Sequence, residues 1–151
     1  MKVVVQRSLK STVSVNNKVI GSIKKGIVAL VAFTHNDTEK DIDYIINKLI
    51  NLRIFDDEEG IMNKSLIDIQ GSVLSISQFT LYADTKKGRR PSYAKALEHK
   101  QASAMYDLFN NKLKEYVNVE TGQFGSDMQV NIINDGPVTI IIESDEKYEK
   151  N

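Results

Sequence analysis

Three stretches of this 151-residue chain place chemically useful groups close together. Ser77-Gln78-Phe79-Thr80-Leu81-Tyr82 ends an apolar strand pattern with polar side chains. As plain structure, threonine favours strands and glutamine can face water. As chemistry, the strand end would present Gln78, the Thr80 hydroxyl and free backbone N–H groups to a ligand, and such donors can hold a developing oxyanion. Lys86-Lys87-Gly88-Arg89-Arg90-Pro91-Ser92-Tyr93 is basic at every position from Lys86 to Arg90 except Gly88, with Tyr82 and Tyr93 flanking it. A charge run is usually a solvated loop; beside a ligand-binding strand end it would contact a phosphate backbone. Asn134-Asp135-Gly136-Pro137-Val138-Thr139 separates two apolar stretches. Asn-Asp-Gly suits a hairpin turn, but Pro137 cannot donate to a ladder, so spacing alone leaves this segment open.

Other chemistries are missing from the sequence. It has no cysteine, which excludes disulfides, thiolate metal sites, iron–sulfur clusters and cysteine nucleophiles. There is no Gly-rich phosphate loop, no H-E-x-x-H and no G-x-S-x-G. The two histidines, His35 after a buried-looking strand and His99 beside Glu98 on a helix, both read as structural or solvated. Asp56, Asp57, Glu58 and Glu59 end at Gly60 without ligand spacing and read as a solvated turn. Neither a metal nor a cofactor is expected. Catalysis would rest on hydroxyls, backbone amides and groups that the substrate brings.

The elements that must position these groups follow from periodicity. Val3–Val5, Thr12–Val15, Val19–Lys24 and Ile27–Thr34 read as strands, with Asn16-Asn17 as a hairpin turn because Asn tolerates positive φ. Asp37 or Thr38 can cap a first helix, on which Ile42, Ile45, Ile46, Leu49 and Ile50 form one apolar stripe. Leu52–Phe55, Ile61–Ile69 and Ser72–Tyr82 read as further strands. Pro91 and Ser92 would start a second helix, whose stripe includes Ala102, Met105, Phe109 and Leu113. Val117–Thr121, Met128–Ile133 and Val138–Glu143 complete the strands. The expected fold is an α+β single domain over residues 1–151, strand-rich, with two main helices on a mostly antiparallel sheet or partial barrel.

Composition narrows the partners. Lys+Arg and Asp+Glu are 20 each, so the net charge is zero and any nucleic-acid contact must come from a local patch. No apolar run approaches the roughly 20 residues of a membrane span, and no signal peptide is evident. The expectation is a soluble cytoplasmic protein without a membrane or DNA partner.

Together the motifs resemble the D-aminoacyl-tRNA deacylase family, also called D-tyrosyl-tRNA deacylase. The resemblance rests on Ser77-Gln78-Phe79-Thr80-Leu81, Gly88-x-Arg90-Pro91-Ser92, Gly122-x-Phe124-Gly125 leading to Met128-x-Val130, and Asn134-x-Gly136-Pro137-Val138-Thr139. The opening Met1-x-Val3-Val4-Val5-Gln6-Arg7 also fits. It implies a homodimer that hydrolyses the ester of D-aminoacyl-tRNA, and of glycine mischarged onto tRNA, at the acceptor end. It implies a cis Gly136-Pro137 bond that enters the partner subunit's active site and excludes an L side chain. Ser77 would join Gly136 and Pro137 in substrate binding. Gln78, Phe79 and Thr80 would carry catalysis, and Lys86, Lys87, Arg89 and Arg90 would hold the tRNA. Thr80 matches a proposed nucleophile, yet a threonine hydroxyl is weak without a base, and the sequence names none. The alternative is that the 2′-hydroxyl of the terminal adenosine assists while amides near Phe79 and Thr80 stabilise the oxyanion. The sequence favours that route. Two rival classes remain, a noncatalytic RNA-binding module of the same fold and a hydrolase of small D-amino-acid esters.

Overall fold

The structure is a computed structural model that describes residues 1–147. Its main sheet has five strands in the order β10 (Asn134–Glu143), β1 (Lys2–Ser8), β4 (Gly26–Ala32), β7 (Ser72–Ser77), β8 (Asn118–Thr121). β1 is antiparallel to both neighbours, whereas β4–β7 and β7–β8 are parallel. A second, antiparallel sheet holds β3 (Lys18–Ile23), β2 (Ser11–Val15) and β9 (Gln129–Asn131). β5 (Phe55–Asp56) and β6 (Met62–Lys64) form a short hairpin. The described strands are thus mostly antiparallel and the main sheet is open. Its parallel pairs need crossovers, supplied by α1 (Glu39–Asn51) between β4 and β7 and by α2 (His99–Leu113) between β7 and β8. No helix among the described residues is long and apolar enough to cross a membrane.

The core lies on both faces of β4. Val3, Val5, Ile27, Ala29 and Val31 point to the helices and pack with Ile42, Ile45, Leu49, Phe109 and Leu113. On the other face, Val28, Leu74 and Ile76 pack against Val13 and Ile23 of the small sheet. Burial on two sides explains the continuous apolar run of β4. The small sheet leaves part of that second face open. Ile141, Val4 and Leu30 stand side by side in register there, and Ile141 is 62% exposed.

Local chemistry sets the boundaries. Asn16 and Asn17 have φ of 50° and 63° and close the β2–β3 hairpin. Thr38 caps α1: its hydroxyl accepts the Lys40 amide, while Asp41 accepts the Thr38 amide at 2.8 Å. Several expectations need correction. Of the strands expected over Leu52–Phe55 and Ile61–Ile69, only Phe55 and Met62–Lys64 are strand, and the chain after Ser65 turns, with the Ile69 amide on the Ser65 carbonyl and the Gly71 amide on the Leu66 carbonyl. The strand expected over Ser72–Tyr82 ends at Ser77, and Phe79–Tyr82 is a 3₁₀ turn. β4 ends at Ala32 and β8 pairs only as far as Ser75, so no ladder remains for a longer strand. The second helix starts at His99 rather than at Pro91 or Ser92, because Glu98 accepts the amides of Lys100 and Gln101 and thereby caps it. The chain from Ser92 to Leu97 is instead bonded to the Thr34 end of β4 through the Thr34–Ala96 bridge and the Leu97 amide on the Phe33 carbonyl. The segment that spacing left open also resolves. Asn134–Pro137 begins β10 and makes no hairpin with β9, which pairs with β2 in the other sheet.

Candidate functional site

A cavity of about 440 Å³ opens at the C-terminal ends of β4 and β7, the end of parallel strands where ligands bind in open α/β sheets. Ser77, Gln78 and Phe79 form one wall, Tyr93 and Leu97 a second, and His99, Ala102, Phe124 and Gly125 a third. The strand end is fixed by the Gln78 amide, which donates to the Val31 carbonyl at 2.7 Å. The chain then turns, and the Leu81 amide donates to the Gln78 carbonyl at 3.1 Å. The amides of Phe79 and Thr80 precede that first internal bond, at the turn's open end.

Thr80 does not line the cavity. Its hydroxyl accepts the Gln78 side-chain amide at 2.5 Å, so the two side chains lock one another. Neither histidine bonds to that hydroxyl, and no carboxylate does among the described residues. Phe79 is 57% exposed and meets Tyr93 edge-on, with centroids 5.1 Å apart. The basic loop hangs between them. Reciprocal bonds join Asp84 and Ser92 at 2.8 and 2.9 Å and close it. The Lys86 amide donates to the Asp84 carboxylate, holding that group below the usual carboxylate range. Lys86, Lys87, Arg89 and Arg90 are exposed, and their side chains make no hydrogen bond or ion pair among the described residues.

Gly136 and Pro137 are exposed and lie outside this cavity. Their peptide bond is cis. Residues 135–138 bulge opposite Arg7, since Gln6 pairs with Thr139 and Ser8 with Asn134. Arg7, only 9% exposed, grips the bulge from below. Its Nε donates to the Asp135 carbonyl at 3.2 Å and lies 3.3 Å from the Asp135 carboxylate, while Nη1 donates to the Ile54 carbonyl at 2.9 Å. Within one chain the two motifs therefore do not meet.

Sequence reasoning missed Arg7, Tyr93, His99 and Phe124 as site residues. The Gly122-x-Phe124-Gly125 and Met1–Arg7 motifs carried a signal for Phe124 and Arg7, and Tyr93 was marked as a flank of the basic stretch. His35, by contrast, bonds through Nε2 to the Ala94 carbonyl at 2.8 Å, a structural role. Asp57 accepts the amides of Glu59 and Ile61 and the Asn63 side chain, as a turn-forming aspartate does. Asp37, Asp41 and Asp145 have ligand-like spacing. Asp37 is occupied by the Met1 ammonium and the Thr34 amide, each at 2.7 Å, and Asp41 by the Thr38 amide, so the group serves the fold.

Residues 4–143 match the family model described as D-Tyr-tRNA(Tyr) deacylase. The chain belongs to the D-Tyr-tRNA(Tyr) deacylase family. A relative from Bacillus cereus (strain B4264), named D-aminoacyl-tRNA deacylase, is 54% identical over 145 residues, spanning 95% of this chain and 99% of that protein. One of the same name from Brevibacillus brevis is 52% identical across 95% of this chain and all of its own length. Among solved structures, one called c-Myc DNA Unwinding Element Binding Protein superposes with a TM-score of 0.90 at 39% identity, covering 95% of this chain and 98% of its own. A probable eukaryotic D-amino acid tRNA deacylase shares the fold at a TM-score of 0.81 and 19% identity, with 94% and 98% covered. In this deacylase family chain, Ser77–Phe79 forms the cavity wall, Thr80 stands behind it, and Gly136-Pro137 is the outlying bulge.

Proposed function

We propose that this protein hydrolyses the ester that joins a D-amino acid to the 3′-terminal adenosine of tRNA, releasing free D-amino acid and tRNA. The observation that carries the reading is the cavity at the ends of β4 and β7, walled by Ser77, Gln78 and Phe79 and flanked by an unpaired basic loop. The ester would lie against the turn, where the amides of Phe79 and Thr80 meet the oxyanion and Gln78 orients the substrate. Lys86, Lys87, Arg89 and Arg90 would take phosphates of the acceptor end. The reaction belongs in the cytoplasm, where aminoacyl-tRNA is made and used.

The attacking group is water assisted by the 2′-hydroxyl of the terminal adenosine. Two features support this over a threonine nucleophile. The Thr80 hydroxyl lies outside the cavity lining and accepts from Gln78, and among the described residues no base is hydrogen-bonded to it to take its proton. Thr80 then serves to hold Gln78.

The working unit is a homodimer in which Gly136 and Pro137 of the partner subunit complete the cavity. Supporting this are the separation of the two motifs within one chain and the open apolar row Ile141–Val4–Leu30. Rigid backbone facing the substrate α-carbon would clash with an L side chain while touching a D side chain little, so several D-amino acids and glycine would be accepted.

The test is deacylation of D-tyrosyl-tRNA by wild-type protein and by Thr80→Ala, alongside the same ester on a terminal adenosine lacking the 2′-hydroxyl. Thr80→Ala should keep activity within about tenfold, whereas the deoxy substrate should react at least about 100-fold more slowly, the scale of a lost acid–base group. Normal turnover of the deoxy substrate would remove the 2′-hydroxyl from the mechanism. No loss of the ordinary ester would leave an RNA-binding module, and cleavage of free D-amino-acid esters at the same rate would leave an RNA-independent esterase.

A further inference from the structure

We propose that His99 binds the 3′-terminal adenosine of the substrate, through a hydrogen bond from an imidazole nitrogen to the nucleoside. The inference rests on the deacylase reading above.

His99 is the first residue of α2, is exposed and forms part of the cavity wall. Its ring is held in place by packing. Phe124 meets it edge-on, with centroids 5.0 Å apart, and packs in turn on Tyr106 at 5.8 Å. Tyr106 is buried and donates its hydroxyl to the Ser75 carbonyl at 2.7 Å, which ties this stack to β7. Gly125, at φ +77°, supplies the seat, since a Cβ there would come within 2.9 Å of His99 Cε1. The polar atoms of the ring are nonetheless free: neither nitrogen has a hydrogen-bond partner among the described residues, in contrast to His35. The neighbouring Glu98 carboxylate is spent on the amides of Lys100 and Gln101. A fixed ring with unpartnered nitrogens at a cavity wall is prepared for a ligand's polar atoms.

The chemistry selects which part of the substrate it meets. An enzyme that accepts many D side chains needs its built contacts on the part that all substrates share, and every aminoacyl-tRNA ends in the same adenosine. His99 comes from the start of α2, a different element from the turn that carries Gln78 and Phe79, and the role assigned to it is binding, which the split between KM and kcat tests. As one net hydrogen bond, its loss should cost about five- to tenfold in affinity.

Steady-state deacylation of D-tyrosyl-tRNA tests this with His99→Ala, His99→Phe and His99→Gln, each first checked for an unchanged thermal midpoint. KM should rise about five- to tenfold in His99→Ala with kcat within about twofold. His99→Phe keeps the packing on Phe124 and loses the nitrogens, so it should stay as impaired, while His99→Gln should recover part of the loss. The same ratios should hold with D-tyrosyl-adenosine, which lacks the rest of the tRNA. A wild-type KM in His99→Phe, a fall confined to kcat, or a loss seen only with full-length tRNA would each overturn the proposal. Active wild-type protein with unaffected variants sinks the His99 role alone. Wild-type protein that leaves both esters intact overturns the deacylase reading with it.

Discussion

Gly136 sits where a side chain is both strained and crowded. Its φ is +123°, and a Cβ would fall 2.9 Å from Val138 Cγ2 and 3.0 Å from both the Val138 amide and Arg7 Nη2. A side chain there costs about 1–3 kcal/mol in backbone strain and pushes against the guanidinium that fixes the bulge. Gly136→Ala should therefore fold with a lowered melting temperature and lose at least about tenfold of its D-tyrosyl-tRNA activity or of its D-over-L preference. Wild-type rates and selectivity in that variant would detach Gly136 from the site. This residue was legible only through the family resemblance, because spacing alone left Asn134–Thr139 open between a hairpin turn and a strand start. So was the Ser77–Thr80 motif, though its true form, a strand end followed by a tight turn, was not. The contacts that Arg7 and Tyr93 make, and the place of His99 in the cavity, were not legible for one reason. These arise between segments far apart in the chain, as in the Arg7–Asp135 and Phe79–Tyr93 pairs, and local spacing does not fix them.

Elements with a strong periodic signal appear where the sequence puts them. The isoleucine and leucine stripe of α1 and the Asn-Asn hairpin are local, and local chemistry decides them. The segment Pro91–Glu98 shows where such reasoning fails: its helical spacing is overridden by the Thr34–Ala96 bridge and by the better cap at Glu98. That override matters, because the non-helical segment brings Tyr93 and Leu97 to the cavity and carries the closed end of the basic loop. The loop is an electrostatic element, and its prediction concerns salt. Replacing Lys86, Lys87, Arg89 and Arg90 together by Ala should weaken tRNA binding and flatten the dependence of log K on log salt by about one for each phosphate that is no longer neutralised. The reaction rate at saturating tRNA should stay within a few fold. An unchanged slope would show that the loop does not touch phosphate. Asp84 stays charged well below neutral pH because the Lys86 amide stabilises its carboxylate. Its contribution to loop closure is thus present above the ordinary carboxylate range and lost only as pH falls through its depressed pKa, so loop-dependent binding should be level from about pH 6 upward.

At the scale of the whole molecule, the chain builds a cavity at one place and a Gly-Pro bulge at another. An apolar row runs from the bulge strand to β4, on the part of the second sheet face that the small sheet leaves open. A second copy resolves all three features if the row is the two-fold interface. Ile141→Glu places a charge in that row and should yield a folded monomer by sedimentation, with deacylation reduced at least about tenfold. A fully active monomer would contradict the cross-subunit site. The order of strands and the parallel pairs at the centre of the sheet were beyond sequence reading, since register across a crossover is set by packing and not by the connecting residues. The central claim is a hydrolase that tells hand from hand without a metal. Its most direct test is the loss of ester from matched D-tyrosyl-tRNA and L-tyrosyl-tRNA over time, with EDTA present. Rapid loss of the D ester with survival of the L ester is the predicted result; equal rates for the two, or dependence on the chelated metal, would contradict it.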